Sequence, residues 1–587
     1  IHRRFLRRKQ MNYTCENRNS TGTVYLNVVE PEKDITLLNV EIHFEKPCAP
    51  KPVIIRWQEA CVDICAALRS NSSFERTLGP NWNKKRNPSR LASCAPIYSW
   101  ISNSSENRLT VAISDAETPT EISGGVIEEN GMITCGVSFF TQPINPITTY
   151  RATIRLDRRK VRYEDALRAA DRFWVEQGGY SYAYVPQAAR EAVYSCWYSF
   201  HQMIDVPAIV EQCRLAREYG MKTVIVDDGW QTDDVSRGYA QCGNWQVAPG
   251  KIADMRKFVD EIHNLGMKFV LWYSVPFIGK QTEAFGRFHD MTLGSIGKEW
   301  EALDPRYPEV RDYLIGLYAK AVDDWDLDGF KLDFIDSFGL NPNTKTFDPR
   351  WDTSSLEEGV DKLLSGISKT LRALKPDILI EFRQTYFGPA IRKYGNMIRV
   401  NDCPDDPLKN RVNSVDLRYF LGKVPVHSDM LMWHSNDKPE AVAYQMITTL
   451  FCVPQISVML DKIPEAHRNV LKFYLDFWQK HRKTLLDSDL HADHPETLYS
   501  QVRAESDEEM IAVAYSDPVL KAGFHKPTAL INATGNSSLY LQNEGETRPC
   551  TIVIHDCTGH VVSQQKYTLS TGVHAFEVPN SGMLEVN

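Results

Sequence analysis

The chain has 587 residues, 43% of them hydrophobic and 24% charged, and 67 Lys+Arg against 75 Asp+Glu leave a formal net charge of −8. That balance is ordinary for a soluble globular protein with a large core, and its acidic excess argues against a nucleic-acid partner. No apolar run approaches the ~18 residues of a membrane span, and the basic start (Arg3, Arg4, Arg7, Arg8, Lys9) lacks the apolar stretch of a secretion signal.

Taken in chain order, residues 1–160 carry short alternating or β-branched runs at 23–29, 35–44, 53–57, 109–114 and 149–156, separated by loops rich in Asn, Ser and Pro. This predicts an antiparallel β-sandwich. Residues 161–189 form a connector, with Ala166, Leu167, Ala170, Phe173 and Trp174 on one helical face and Gly178-Gly179 ending it.

Across 190–490 short buried runs alternate with helical stripes. The runs fall at 193–199, 223–227, 268–273, 329–334, 378–382, 397–401, 425–428 and 452–456. The clearest stripes are Phe258, Val259, Ile262 and Leu265, then Val310, Leu314, Leu317 and Ala321, then Leu356, Val360, Leu363, Ile367, Leu371 and Leu374, and a last helix spans 465–482. Eight such units predict a (β/α)8 TIM barrel. From 491 to 587 short strands return, at 497–503, 510–515, 528–532, 539–542, 551–555 and 574–578. The fold class expected is therefore a multidomain α/β chain, a central TIM barrel between an N-terminal β-sandwich and a small C-terminal β domain. The 13 cysteines are scattered from Cys15 to Cys557, with Cys61 and Cys65 the nearest pair and no histidine at ligand spacing. They read as reduced, packed thiols, which favours a cytoplasmic location and neither a disulfide framework nor a metal site.

In such a barrel, chemistry sits where the strands end. Those ends carry carboxylates: Asp227-Asp228-Gly229-Trp230, Lys331-Leu332-Asp333, Glu381-Phe382-Arg383, Arg399-Val400-Asn401-Asp402 and His427-Ser428-Asp429. Residues two apart on a strand share a face, so Lys331 and Asp333 should point together into the mouth. A lysine nearby keeps a carboxylate ionised, as a nucleophile requires. A second carboxylate across the mouth would complete the pair used in retaining glycoside hydrolysis. Asp402 is the candidate, with Asp405 and Asp406 as rivals, since Cys403-Pro404 ends the strand near there. Asp227 and Asp228 offer acceptors for sugar hydroxyls, while Trp230, Trp272 and Trp197 offer rings that stack on sugar CH faces. Arg383 and Arg399 join this substrate-binding set.

Five ordered segments, VIVDDGW (224–230), GNWQVAPGK (243–251), GMKFVLW (266–272), GFKLD (329–333) and Asn401-Asp402, resemble the family-36 glycoside hydrolases, the melibiase-type α-galactosidases and their raffinose-synthase relatives. The resemblance covers 190–430. It implies a retaining enzyme for an α-linked oligosaccharide or glycoside, needing no metal or organic cofactor, with Asp333 as nucleophile and Asp402 as general acid/base. It further implies that Asp227 and Asp228 hold the 4- and 6-hydroxyls and Lys331 the 3- and 4-hydroxyls. The chain departs from the family pattern at Tyr273-Ser274-Val275-Pro276-Phe277 and at Glu381-Phe382-Arg383-Gln384-Thr385. Those departures leave room for α-N-acetylgalactosaminide, another α-glycoside or a transfer reaction, and a catalytically silent carbohydrate-binding relative is the reading from a different class. Membrane partners are not expected, and self-association into a homo-oligomer is left open.

Overall fold

The computed structural model describes residues 13–587, and the basic stretch from Arg3 to Lys9 lies outside the described residues. The N-terminal part is a five-stranded sheet facing a six-stranded one, both antiparallel. Strand Ile35–Cys48 shows why: Leu38, Val40, Ile42 and Phe44 enter the core between the sheets while Asn39, Glu41 and His43 face outward.

Strands at Ile64–Arg69, Lys85–Ser89, Ile97–Ser102, Thr120–Ile127 and Met132–Phe139 escape the sequence pattern. Ile97–Ser102 is buried on both faces because helix Tyr163–Glu176 packs on its outer side, which erases the alternation. Thr120–Ile127 contains Gly124, where any Cβ would stand 2.3 Å from the Trp100 ring. Glycine is required by that close approach, although it weakens the strand signal.

Eight parallel strands build the barrel: β1 (Val193–Ser195), β2 (Thr223–Val226), β3 (Lys268–Ser274), β4 (Gly329–Asp333), β5 (Leu379–Arg383), β6 (Met397–Arg399), β7 (Val426–His427) and β8 (Gln455–Ile456). Their spatial order follows the chain from β1 to β7, with β8 beside β1. Parallel bridges His427–Val453 and Leu431–Ile456 draw β7 toward β8 and nearly close the ring. Five of the strands (β1, β2, β4, β6 and β7) end earlier than expected, β3 and β5 run one residue further, and β8 starts later. Trp197, expected in the first strand, instead opens the short helix Trp197–Phe200.

After β3 the chain makes an excursion that the sequence reading did not anticipate, a three-stranded antiparallel sheet of Phe277–Gly279, Thr292–Ser295 and Trp300–Leu303. The C-terminal part holds a seven-stranded and a three-stranded sheet around Leu530, Leu541, Ile552 and Leu584. The strand expected at 497–503 is corrected to Gln501–Glu505. Leu498 and Tyr499 take left-handed backbone angles (φ 61 and 72) that no strand accommodates. All cysteines are unpaired. Among the described residues no helix is long and apolar enough to cross a membrane.

Candidate active site

Strand β4 places Lys331 and Asp333 together inside the mouth, both nearly inaccessible. They are not each other's partners. Lys331 Nζ lies 2.6 Å from Asp227 Oδ2, and Asp333 is met by a different set of donors. Arg383 Nε donates to its Oδ1 at 2.7 Å, the Tyr386 hydroxyl at 3.0 Å and the Phe334 amide at 2.8 Å, while the Trp272 indole N–H reaches Oδ2 at 3.0 Å. Burial alone would raise this carboxyl. The charges of Arg383, Lys331 and Arg399, with the Trp272 N–H, outweigh burial and hold it far below the ordinary carboxylate range. Asp333 is thus an ionised carboxylate, oriented by four donors, at the end of a barrel strand.

On the β2 side, Asp227 accepts from Lys331 and from the Asp228 amide. Asp228 accepts from Gln202 Nε2 at 2.6 Å and Gln231 Nε2 at 2.7 Å. Burial pushes the Asp228 carboxyl up to about 6 against the pull of those two amides. Gly229 makes the arrangement feasible: its φ is +114, and a Cβ there would sit 2.5 Å from the Gln202 backbone. Each carboxylate still has lone pairs to offer a hydroxyl-bearing ligand.

Beneath this layer, Glu381 on β5 is fully buried and in register with Lys331. Gln455 Nε2 donates to its Oε2 at 2.6 Å, its Oε1 has no hydrogen-bond partner, and burial pushes the group up to about 7.

The β6 side is organised by Arg399, which is only 1% exposed. Its guanidinium pairs with Asp429 and, at 2.8 Å, with Asp402 Oδ1. The Asp402 side chain is 53% exposed, the most open carboxylate of the cluster. Burial tends to raise it, but Arg399 and then Lys331 draw it below the ordinary range, with Asp333 opposing them. Asp429 also accepts from the Tyr198 hydroxyl and the Cys403 amide, which fixes the backbone next to Asp402. The rivals lie elsewhere. Asp406 caps helix Pro407–Phe420 by accepting from the Lys409 amide, and Asp405 accepts from Gln445 at 2.8 Å.

The expected binding residues divide. Asp227, Asp228, Lys331 and Arg383 gather around Asp333. Arg399 is corrected from a ligand contact to a buried support of Asp402, because its side chain is enclosed by carboxylates. Trp230 is likewise corrected: it is fully buried, donates to the Trp272 carbonyl at 2.8 Å and packs on Trp245 and Tyr273, so no face is free for a ligand. Trp272 is also buried and serves as a donor to Asp333. Trp197 remains half-buried, edge-on to His201 at 4.6 Å.

The aromatic wall of the mouth is made instead by Tyr239, Phe334 and Trp300, with Tyr239 5.4 Å from Phe334 and 5.2 Å from Trp300. Sequence reasoning missed these three together with Tyr386, Gln202 and Gln231, and it placed Glu381 at a strand end without giving it a role. Phe334 follows the K-x-D segment directly and Tyr386 is three residues from Arg383, which is the only local signal they carry.

The melibiase family model matches residues 187–402, which include every carboxylate from Asp227 to Asp402. A bifunctional α-galactosidase/sucrose kinase of Mediterraneibacter gnavus is 25% identical over 154 residues, 24% of this chain and 16% of that protein. An A-type blood α-D-galactosamine galactosaminidase of Flavonifractor plautii is 25% identical over 201 residues, 30% of this chain and 17% of its own. The matched stretches thus span about a sixth of those relatives' lengths. Among solved structures, the α-galactosidase AgaA of Geobacillus stearothermophilus superposes with a TM-score of 0.68, covering 96% of this chain and 81% of that one at 13% identity. An α-galactosidase of Lactobacillus brevis gives 0.66, with 98% and 81% covered at 14% identity. At such identities the likeness is one of fold.

Proposed function

We propose that this chain, built on a barrel of the melibiase family, is a retaining α-galactosidase acting on terminal α-galactosides. The observation that carries the reading is Asp333, ionised and held by Arg383, Tyr386, Trp272 and its neighbouring amide at the mouth, with the exposed Asp402 just past the end of β6, two strands further round the barrel. Asp333 attacks the anomeric carbon and Asp402 gives its proton to the departing glycosidic oxygen, leaving a glycosyl ester on Asp333. Asp402 then takes a proton from water, whose oxygen displaces Asp333 and restores the original anomeric configuration.

In the free protein Asp402 is held as the carboxylate, the form that the second step uses. A glycoside covering it would remove solvent and raise its proton affinity, which prepares the first step. Asp227, Asp228 and Lys331 would read the ring hydroxyls, and a sugar that leaves those buried groups unpaired would be strongly disfavoured. Partners follow from this reading: an α-linked oligosaccharide or glycoside as substrate.

A second reading, an α-N-acetylgalactosaminide substrate, is favoured by the departure at Glu381 to Thr385, where Arg383 and, one residue beyond the segment, Tyr386 stand against Asp333. The test compares wild type and Asp333→Asn on 4-nitrophenyl α-galactoside, α-galactosaminide and α-N-acetylgalactosaminide, with the product anomer followed by NMR. Retained configuration on the galactoside, lost in the variant, supports the proposal. Turnover of an amino sugar alone would move the assignment to the second reading, and inversion would exclude the mechanism.

A further inference from the structure

A cavity of about 880 Å³ lies between the barrel and the C-terminal β domain, outside the carboxylate cluster. Its barrel wall is the loop 434–438, the helix Pro439–Thr448 and the start of helix Pro407–Phe420, and its far wall is the turns at 533–535 and 580–581. Those walls are tied together. Ser581 Oγ donates to the Glu440 carbonyl at 2.9 Å, the Tyr474 hydroxyl to the Ser581 carbonyl at 2.7 Å, and Gln445 Nε2 to Asp405 Oδ1 at 2.8 Å. The cleft is therefore a built feature with fixed walls.

Its lining chemistry is that of a neutral polyhydroxylated ligand. Asp405, Asp437 and Glu440 supply carboxylate acceptors, Asn436 and Asn580 exposed amides, and Tyr444 a half-buried ring. Lys438 is the one cation among the lining residues, so an anionic ligand would meet net repulsion. Carboxylates and amides bonding hydroxyls beside an aromatic face are the contacts a sugar makes, and the volume suits a small ligand.

Position gives the cleft a role. A general acid protonates the leaving oxygen, so the aglycone departs on its side of the mouth. Asp402 is on the β6 side, and the same loop runs through Cys403-Pro404 to Asp405 and Pro407, which line the cleft. The segment that carries Asp402 at the mouth thus becomes part of the cleft wall three residues later.

We propose that the cleft between the barrel and the C-terminal β domain is a subsite for the distal sugars of the leaving group, making the preferred substrate a neutral oligosaccharide capped by the α-linked sugar. This rests on the assignment of Asp402 as general acid. Ala441 is exposed on the cleft's helix, and Ala441→Trp would fill the space, while Tyr444→Ala removes the ring. With a 4-nitrophenyl α-glycoside, both variants should keep kcat/KM within about twofold of wild type. With a galactose-capped oligosaccharide of roughly three to five units, kcat/KM should fall about tenfold or more, through KM. Equal losses on both substrates, or no loss on the long one, would overturn the proposal. If wild type hydrolyses no α-glycoside, calorimetric titration with the same oligosaccharides separates the two ideas. Binding abolished by Ala441→Trp but kept by Ala441→Ser preserves the cleft and discards the catalytic reading, whereas no binding to wild type discards both.

Discussion

The two sides of the barrel mouth are built to opposite specifications. From β2 to β5, Asp227, Asp228, Asp333 and Glu381 are all buried, and each is met by a lysine, arginine, amide or hydroxyl donor. On the β6 side, Asp402 keeps half of its side chain in solvent and is held from below by one buried arginine. The dry side costs nothing to organise at the moment of reaction, because its donors already point where charge resides. In the proposed mechanism the open side admits a leaving group and then a water, which its accessibility permits. This is the difference expected between a wall that holds one sugar ring and a wall that faces changing partners.

The largest expected effect is on the dry side. Asp333→Asn removes the proposed nucleophile and should lower kcat by roughly 10⁴-fold or more with unchanged circular dichroism; a small loss, measured on the aryl galactoside, would break the contrast. Next is the support beneath the open side. Arg399→Met strands Asp429 as an unpaired buried charge and should cost about 3–5 kcal/mol in denaturant unfolding. It also removes the main cation acting on Asp402, so any residual activity should show its alkaline limb shifted to higher pH.

Asp402→Ala should slow poor leaving groups by about 10²- to 10⁴-fold while affecting activated aryl glycosides far less, read as a ratio of kcat/KM values. Equal losses on both would contradict its role as acid. The smallest expected effect concerns Glu381. Its carboxyl is raised by burial to about 7 in the folded state, so the folded form binds the proton more tightly than the unfolded chain. Its contribution to stability is therefore complete below the unfolded value of about 4.5 and lost as pH rises through 7. Relative to Glu381→Gln, wild type should lose up to about 3 kcal/mol across that window; a pH-independent difference would show that the group stays ionised.

The barrel was legible because its strands are continuous buried runs and its helices carry clear apolar stripes, as in Val360, Leu363, Ile367 and Leu371. The sandwich was half legible. Ile35–Cys48 alternates cleanly, but Ile97–Ser102 has one face in the sandwich core and the other covered by a helix from a later part of the chain, which removes the period-two signal. In the site, the parity of Lys331 and Asp333 was readable from β geometry alone. Their partners were not: Arg383 lies 50 residues beyond Asp333, and Lys331 turned out to pair with Asp227, 104 residues before it.

Local periodicity and spacing determined the order of the elements, the strand ends that carry carboxylates and the face on which Lys331 and Asp333 stand, since these depend only on backbone geometry and residues a few positions apart. Tertiary structure alone decided that Trp230 packs inside, that Arg399 supports Asp402 from below, that Asp402 stays open while Asp333 does not, and that a cleft runs on past Asp405. Burial and charge pairing arise when strands distant in sequence are brought into register around a closing barrel, and no window of the chain contains that information.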